Sequence, residues 1–174
     1  MSVRLAVPTL AVLDGLGSEL LALPFFENDR PFQGVAGLID WRLAGGASRP
    51  LREGRVLGAY LEQLLLPTQG KLKVERVVFL GLGRADDFTE ARFSEAVEAL
   101  AGCAESLLAR SVACVLPGRD RPVIEAKRAM ELFMPVLVHP ERYDELVILD
   151  RGEHHRAMAP IIEHAARRRR AMDL

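Results

Sequence analysis

Two stretches of this chain are apolar at every position: Val77-Val78-Phe79-Leu80 and Leu146-Val147-Ile148-Leu149. A strand with one wet face alternates apolar and polar residues, so an unbroken run suits a strand covered on both faces. Similar runs mark candidate strands at residues 4–7, 20–26, 63–67, 76–81, 112–116 and 145–149. Helix-length amphipathic segments separate them, which places helices on both sides of a largely parallel sheet. The expected fold class is therefore α/β, in a single domain over residues 1–174.

The clearest helical signal covers residues 88–110. Phe93, Val97, Leu100, Ala101, Ala104, Leu107 and Leu108 fall at helical spacing and form one apolar stripe. Asp87 with Glu90 three residues later fits a capping-box-like start, with Thr89 as the competing cap. A shorter helix is expected at residues 34–43, buried through Val35, Leu38, Ile39 and Leu43. Gly34, Gly37 and Gly45 leave it a thin face that another backbone could approach. Trp41 lies beside that face, and the pattern favours a core anchor over an interface anchor. Residues 122–138 read as a third helix with the stripe Val123, Ala126, Met130, Phe133, Met134 and Leu137. Pro135 should kink or stop it. Residues 153–170 read as a last helix, its start blurred by Pro160.

Composition excludes several classes. A length of 174 residues suits one compact domain that needs no covalent staples. A net charge of −1 is not the electrostatic footprint of a nucleic-acid-binding domain. Cys103 and Cys114 fall in a helix and an apolar strand, where unreactive free thiols are expected. No secretory leader or membrane-length apolar run is visible, so a soluble, cytoplasmic protein is expected.

Residues 19–84 carry a more specific pattern. An apolar strand ends near Phe25-Phe26, Gly37-Leu38-Ile39-Asp40 lies on a helix, and a Gly/Arg segment follows. Then come a strand at 63–67 and another that ends in Gly81-Leu82-Gly83. In order and spacing this resembles the amino-terminal, macro-like domain of the leucyl aminopeptidases, a family of di-metal peptidases. The resemblance covers about residues 2–170 and is strongest from Glu19 to Arg84. It implies a three-layer macro-domain-like fold with a mixed, mainly parallel sheet. The family carries its metal ligands and its Asn-Thr-Asp-Ala-Glu-Gly-Arg-Leu signature in its carboxy-terminal domain, and nothing in these residues matches that signature. No catalytic residue carries over, and no cofactor or metal is expected. The resemblance implies a stand-alone, non-catalytic domain that works by self-association or by docking on a partner protein. The alternative is a module that binds a nucleotide or an ADP-ribose derivative.

Candidate site residues are few. Gly81, Gly83 and Arg84 form a glycine turn between strand and helix, where a phosphate could approach backbone N–H groups. Asp86 and Asp87 oppose a phosphate there. Gly45-Gly46-Ala47-Ser48 is the nearest second glycine loop and fits a helix end equally well. Gly37 and Trp41 are the candidate interface residues. His139, His154, His155 and His164 lack the spacing of a helical metal site and read as solvated. Asp14, Glu27, Asp29 and Asp40 are scattered, with Asp40 expected to make a structural hydrogen bond. Arg167, Arg168, Arg169 and Arg170 complement a helix end or form a basic patch for nucleic acid or an acidic partner.

Overall fold

The computed structural model describes residues 1–137 and 142–172, and the side chains of all of these except 137, 169, 170 and 172. Six strands form one sheet: β1 (Ser2–Ala6), β2 (Leu20–Phe25), β3 (Gln63–Pro67), β4 (Arg76–Gly81), β5 (Ser111–Cys114) and β6 (Glu145–Leu149). Their order across the sheet is β1-β6-β5-β2-β4-β3. Every pairing is parallel except β3 with β4, which is antiparallel.

The apolar runs sit where the pattern requires. Leu21, Leu23, Val77, Phe79, Val147 and Leu149 point into one core, while Leu20, Ala22, Val78, Leu80, Leu146 and Ile148 point into the other. Strand β3 differs. It alternates exposed and half-buried residues, as an edge strand with one wet face should. The expectation of two-sided cover therefore fails at this strand.

Helices α1 (Leu10–Gly15), α2 (Gly34–Arg42) and α3 (Ser48–Arg52) cover the first face. Helices α4 (Glu90–Ser106), α5 (Ala126–Leu137) and α6 (Gly152–Met172) cover the second. This is the three-layer, macro-domain-like α/β arrangement that the sequence implies. Helix α4 buries Phe93, Ala96, Val97, Leu100, Ala101 and Ala104. Its cap is Thr89, whose hydroxyl accepts the Arg92 N–H at 3.2 Å. Asp87 instead belongs to a 3-10 turn at Ala85–Asp87.

Leu108 departs from the expected stripe. The chain leaves the helix at Leu107 and turns with a positive φ of 55° at Leu108, which ends 83% exposed. Val123 likewise precedes α5 and stays exposed, because the helix begins only at Ala126. Pro135 lies within α5, whose described residues run to Leu137. Helix α6 runs through Pro160. His139 lies outside the described residues.

Candidate functional site

Helix α2 is the wall between two recesses. It follows β2 onto one face of the sheet, while α5 follows the neighbouring β5 onto the other. Chains that part in this way leave a crevice at the carboxyl ends of the strands. Here the crevice encloses about 370 Å³ and is lined by Gly34, Val35, Leu38, Arg119, Asp120 and Asp150, among others.

The polar groups of the crevice are tied to one another. Arg119 follows β5 and Asp150 follows β6, and their side chains are each only 4% exposed. Arg119 Nε donates to Asp150 Oδ2 at 2.8 Å and Nη2 to Oδ1 at 3.2 Å, a bidentate pair. Arg119 Nη1 donates to the Ile124 carbonyl at 2.7 Å. His154 Nδ1 lies 2.8 Å from Arg119 Nη2 and 2.9 Å from Asp150 Oδ1. Burial alone would raise the Asp150 carboxyl; the hydrogen bonds from Arg119 and His154 and the Arg119 charge hold it below its ordinary value.

Asp120 plays a different part. Its Oδ2 accepts the Ala36 N–H at 3.3 Å, and the Val35 N–H also bonds to this carboxylate. The side chain of Gln33, at the start of α2, makes no capping bond. A carboxylate from a loop 84 residues away therefore serves the helix N-terminus. Gly34 makes room for it: with φ at +52°, a Cβ at this position would lie 2.5 Å from Asp120 Oδ1. Burial pushes the Asp120 carboxyl up to about 6. The Val35 and Ala36 N–H groups oppose that rise, and Asp150 and Asp29 add to it.

The second recess lies on the other side of α2. It is a groove of about 570 Å³ between α2, α3 and the segment that precedes α2. Phe32, Gly37, Trp41, Ala44, Leu51 and Arg52 are among its lining residues. Gly37 is required because the Phe32 carbonyl would stand 2.7 Å from a Cβ there. Phe32 in turn packs edge-on against Phe25, with ring centroids 4.9 Å apart. Asp40 Oδ1 accepts the N–H groups of Ala47 and Ser48, both at 2.9 Å, and so fixes α3 to the end of α2. Gly45, at φ +76°, reverses the chain between the two helices.

Trp41 is 65% exposed, so it is no core anchor. The buried side of α2 is taken by Val35, Ala36 and Ile39, and Trp41 falls off that stripe. The Arg42 guanidinium stacks over its ring at 4.9 Å and pairs with Asp14 at 2.6 Å. Gly37 and Trp41 both line this recess.

The Gly81 turn is packed by protein. A Cβ on Gly81 would meet the Ala59 carbonyl at 2.2 Å. The N–H groups of Gly81, Leu82 and Gly83 donate to the carbonyls of Glu62, Phe25 and Gly58. Arg84 lies 3.9 Å from Asp86, and both are exposed. Glu62 also gathers backbone donors: its Oε2 accepts N–H bonds from Leu57, Gly58 and Ala59.

Burial pushes the Cys114 thiol up to about 12, which leaves it inert at neutral pH, and Cys103 is raised for the same reason. Arg167 pairs with Glu163 on α6, and Arg168 is exposed; the side chains of Arg169 and Arg170 lie outside the described residues. Among the described residues, no group of three or more His, Cys, Asp and Glu could hold a metal ion. No described helix is long and apolar enough to cross a membrane.

The sequence reading missed the Arg119, Asp120, Asp150 and His154 cluster. The available signal was position: Arg119 and Asp120 come within four residues of the end of the predicted apolar strand 112–116, and Asp150 directly follows the one at 145–149.

The sequence profile of the cytosol aminopeptidase family, N-terminal domain, matches residues 22–132. No curated protein matches the chain by sequence. Among solved structures it is similar to a tomato leucine aminopeptidase variant, with a TM-score of 0.65 and 17% identity. That match covers 95% of this chain and 36% of the tomato chain, so the chain spans about a third of that enzyme. It is also similar to the macrodomain of Thermus aquaticus DarG (TM-score 0.66, 12% identity, 86% of this chain and 98% of that one). An Oceanobacillus iheyensis macrodomain variant aligns at a TM-score of 0.73 and 9% identity, over 95% of this chain and 92% of that one. The Oceanobacillus iheyensis macrodomain has been solved with MES and with ADP. At such low identities these likenesses speak to the fold.

Proposed function

The chain belongs to the cytosol aminopeptidase family through its N-terminal domain, and from that premise we propose that it is a non-catalytic docking domain. Its working surface is the α2–α3 groove, which seats a protein surface, either a second copy or a separate partner. The observation that carries this reading is Trp41, 65% exposed at the lip of a groove of about 570 Å³. Tryptophan and arginine dominate the energetics of protein interfaces, and large exposed aromatics beside apolar recesses mark interaction sites.

Trp41 is the single tryptophan of the chain, so its emission reports on the groove directly. Occupancy of the groove should shift that emission to shorter wavelength. Trp41→Lys should abolish association in sedimentation experiments while leaving the fold intact, since the side chain contributes little to either core. A Trp41→Lys chain that still associates like the parent would refute this assignment.

A small-molecule role ranks second. The macrodomain likeness and the crevice at the strand ends favour it. Against it, Asp120 already places a carboxylate at the α2 N-terminus, where a ligand phosphate would sit. Calorimetry with ADP-ribose tests it: micromolar binding to the wild-type chain would move this reading to first place.

A further inference from the structure

We infer that the partner seated in the α2–α3 groove is an extended acidic segment that carries one large apolar residue. The inference rests on the docking reading above and names the chemistry of its partner. It comes from how the charges at the groove are used. Asp29 is buried; its Oδ2 accepts the Phe26 N–H at 3.1 Å, and its Oδ1 lies 3.5 Å from Arg121. Asp40 turns Oδ1 toward the backbone of α3. The nearby Glu53 is bound to Arg55. The acids of this surface are thus engaged within the domain.

The cations are placed differently. Arg30 is exposed, and its guanidinium meets only neutral groups, the carbonyls of Asp29 and Leu57. Arg49 and Arg52 are exposed one turn apart on α3. Among the described residues, neither has a carboxylate within 4.0 Å, the limit for an ion pair. Arg30 and Arg52 therefore line a groove with an apolar floor of Phe32, Trp41, Ala44 and Leu51, and neither has a carboxylate partner among the described residues; Arg49 is exposed one turn from Arg52. A segment that inserts an apolar side chain and lays carboxylates along the rim would supply both. Arginine can pair such carboxylates in bidentate fashion, and apolar burial supplies the anchor. The exposed Leu57, 61% accessible and joined to Arg30 through its carbonyl, extends the same surface.

The test uses the whole chain and synthetic peptides free of tryptophan, with Trp41 emission as the readout. One peptide carries a Leu-Phe pair flanked by glutamates. A second replaces the glutamates with lysines, a third replaces Leu-Phe with Ala-Ala, and a fourth flanks Leu-Phe with serines. The first should saturate the signal, and the second should bind at least about tenfold more weakly, a difference of ~1.4 kcal/mol. Binding should weaken several-fold between about 0.1 M and about 1 M salt, as the Debye length falls from ~10 Å to ~3 Å. Arg52→Glu should reverse the preference between the first two peptides. Arg52 is exposed, so circular dichroism and thermal melting of the variant should match the parent.

Equal binding of the acidic, serine and lysine peptides, all lost in Trp41→Lys (read by a dye on the peptide), would overturn the acidic partner and leave the docking reading standing. Absence of any peptide signal, together with unaltered sedimentation of Trp41→Lys, would overturn both. Unchanged peptide preference in Arg52→Glu would overturn the assignment of the charged rim.

Discussion

Asp120→Asn should stabilise this protein at neutral pH and leave it nearly unchanged in acid. In the folded chain the Asp120 carboxyl is pushed up to about 6, against an ordinary value of 3.8. Between those two values the folded state holds a proton that the unfolded state has released. Stability therefore falls as pH rises from about 4 to about 6, and the full cost persists above that window. At ~1.4 kcal/mol per pH unit, the ceiling is ~3 kcal/mol. Asp120 is partly exposed, so solvent screening lowers the expected figure to roughly 1.5–3 kcal/mol.

Asparagine is the right perturbation because it imitates the protonated acid. It keeps one carbonyl oxygen for the Ala36 N–H and removes the charge that Asp150 and Asp29 repel. The assay is urea denaturation of wild type and variant at about pH 4, pH 6 and pH 7.5, read as the difference in unfolding free energy. That difference should be near zero at the lowest pH and grow to about 2 kcal/mol in favour of the variant at the highest. A difference independent of pH would refute the argument. So would a variant less stable than wild type at pH 7.5 only, which would mean that capping of α2 outweighs the burial of charge.

Three further outcomes can be checked with the same preparations. Arg119→Ala leaves the buried Asp150 carboxylate without its bidentate partner and should cost about 3–5 kcal/mol in denaturant melts; a loss below about 1 kcal/mol would refute the pair's role. Glu62→Ala removes the acceptor shared by three N–H groups at residues 57–59 and should cost about 1–3 kcal/mol. Amide exchange of those groups should accelerate, and unchanged protection would count against the assignment. On the proposed docking reading the purified chain should not hydrolyse leucine amides with zinc or manganese added; metal-dependent turnover that co-purifies with the protein would contradict this.

The fold was legible wherever burial on both faces left no room for polar residues. The runs at 76–81 and 145–149 could only be central strands, and their boundaries stand as read. Legibility failed where a residue's fate depends on partners distant in sequence. Trp41 read as a core anchor because apolar bulk usually goes inside, yet the inward positions of α2 were already filled by Val35 and Ile39. Leu108 matched the helical period, but the helix had ended before it. Helices α1 and α3 are six and five residues long, too short to show a period. The Arg119–Asp150 pair joins residues 31 apart, and Asp120 reaches α2 across 84. Only the sheet order, which sets β5 between β6 and β2, makes either contact visible.

The two recesses on α2 look alike as cavities and differ in the direction of their polar groups. In the crevice, Arg119 spends Nε, Nη1 and Nη2 on Asp150, Ile124 and His154, and Asp120 spends its carboxylate on the α2 backbone. A ligand that took its hydrogen bonds from these groups would break contacts that hold the strand ends together, and each buried group left unpaired costs about 1–3 kcal/mol. In the groove, Asp29 and Asp40 bond to the backbone of the domain, while Arg52 is exposed. A partner arriving there would leave those buried contacts in place. The same helix thus presents one side whose polar groups are paired within the domain and another beside which Arg52 stays exposed. That asymmetry is the structural argument for the proposed docking surface in the groove over a ligand site in the crevice at the strand ends.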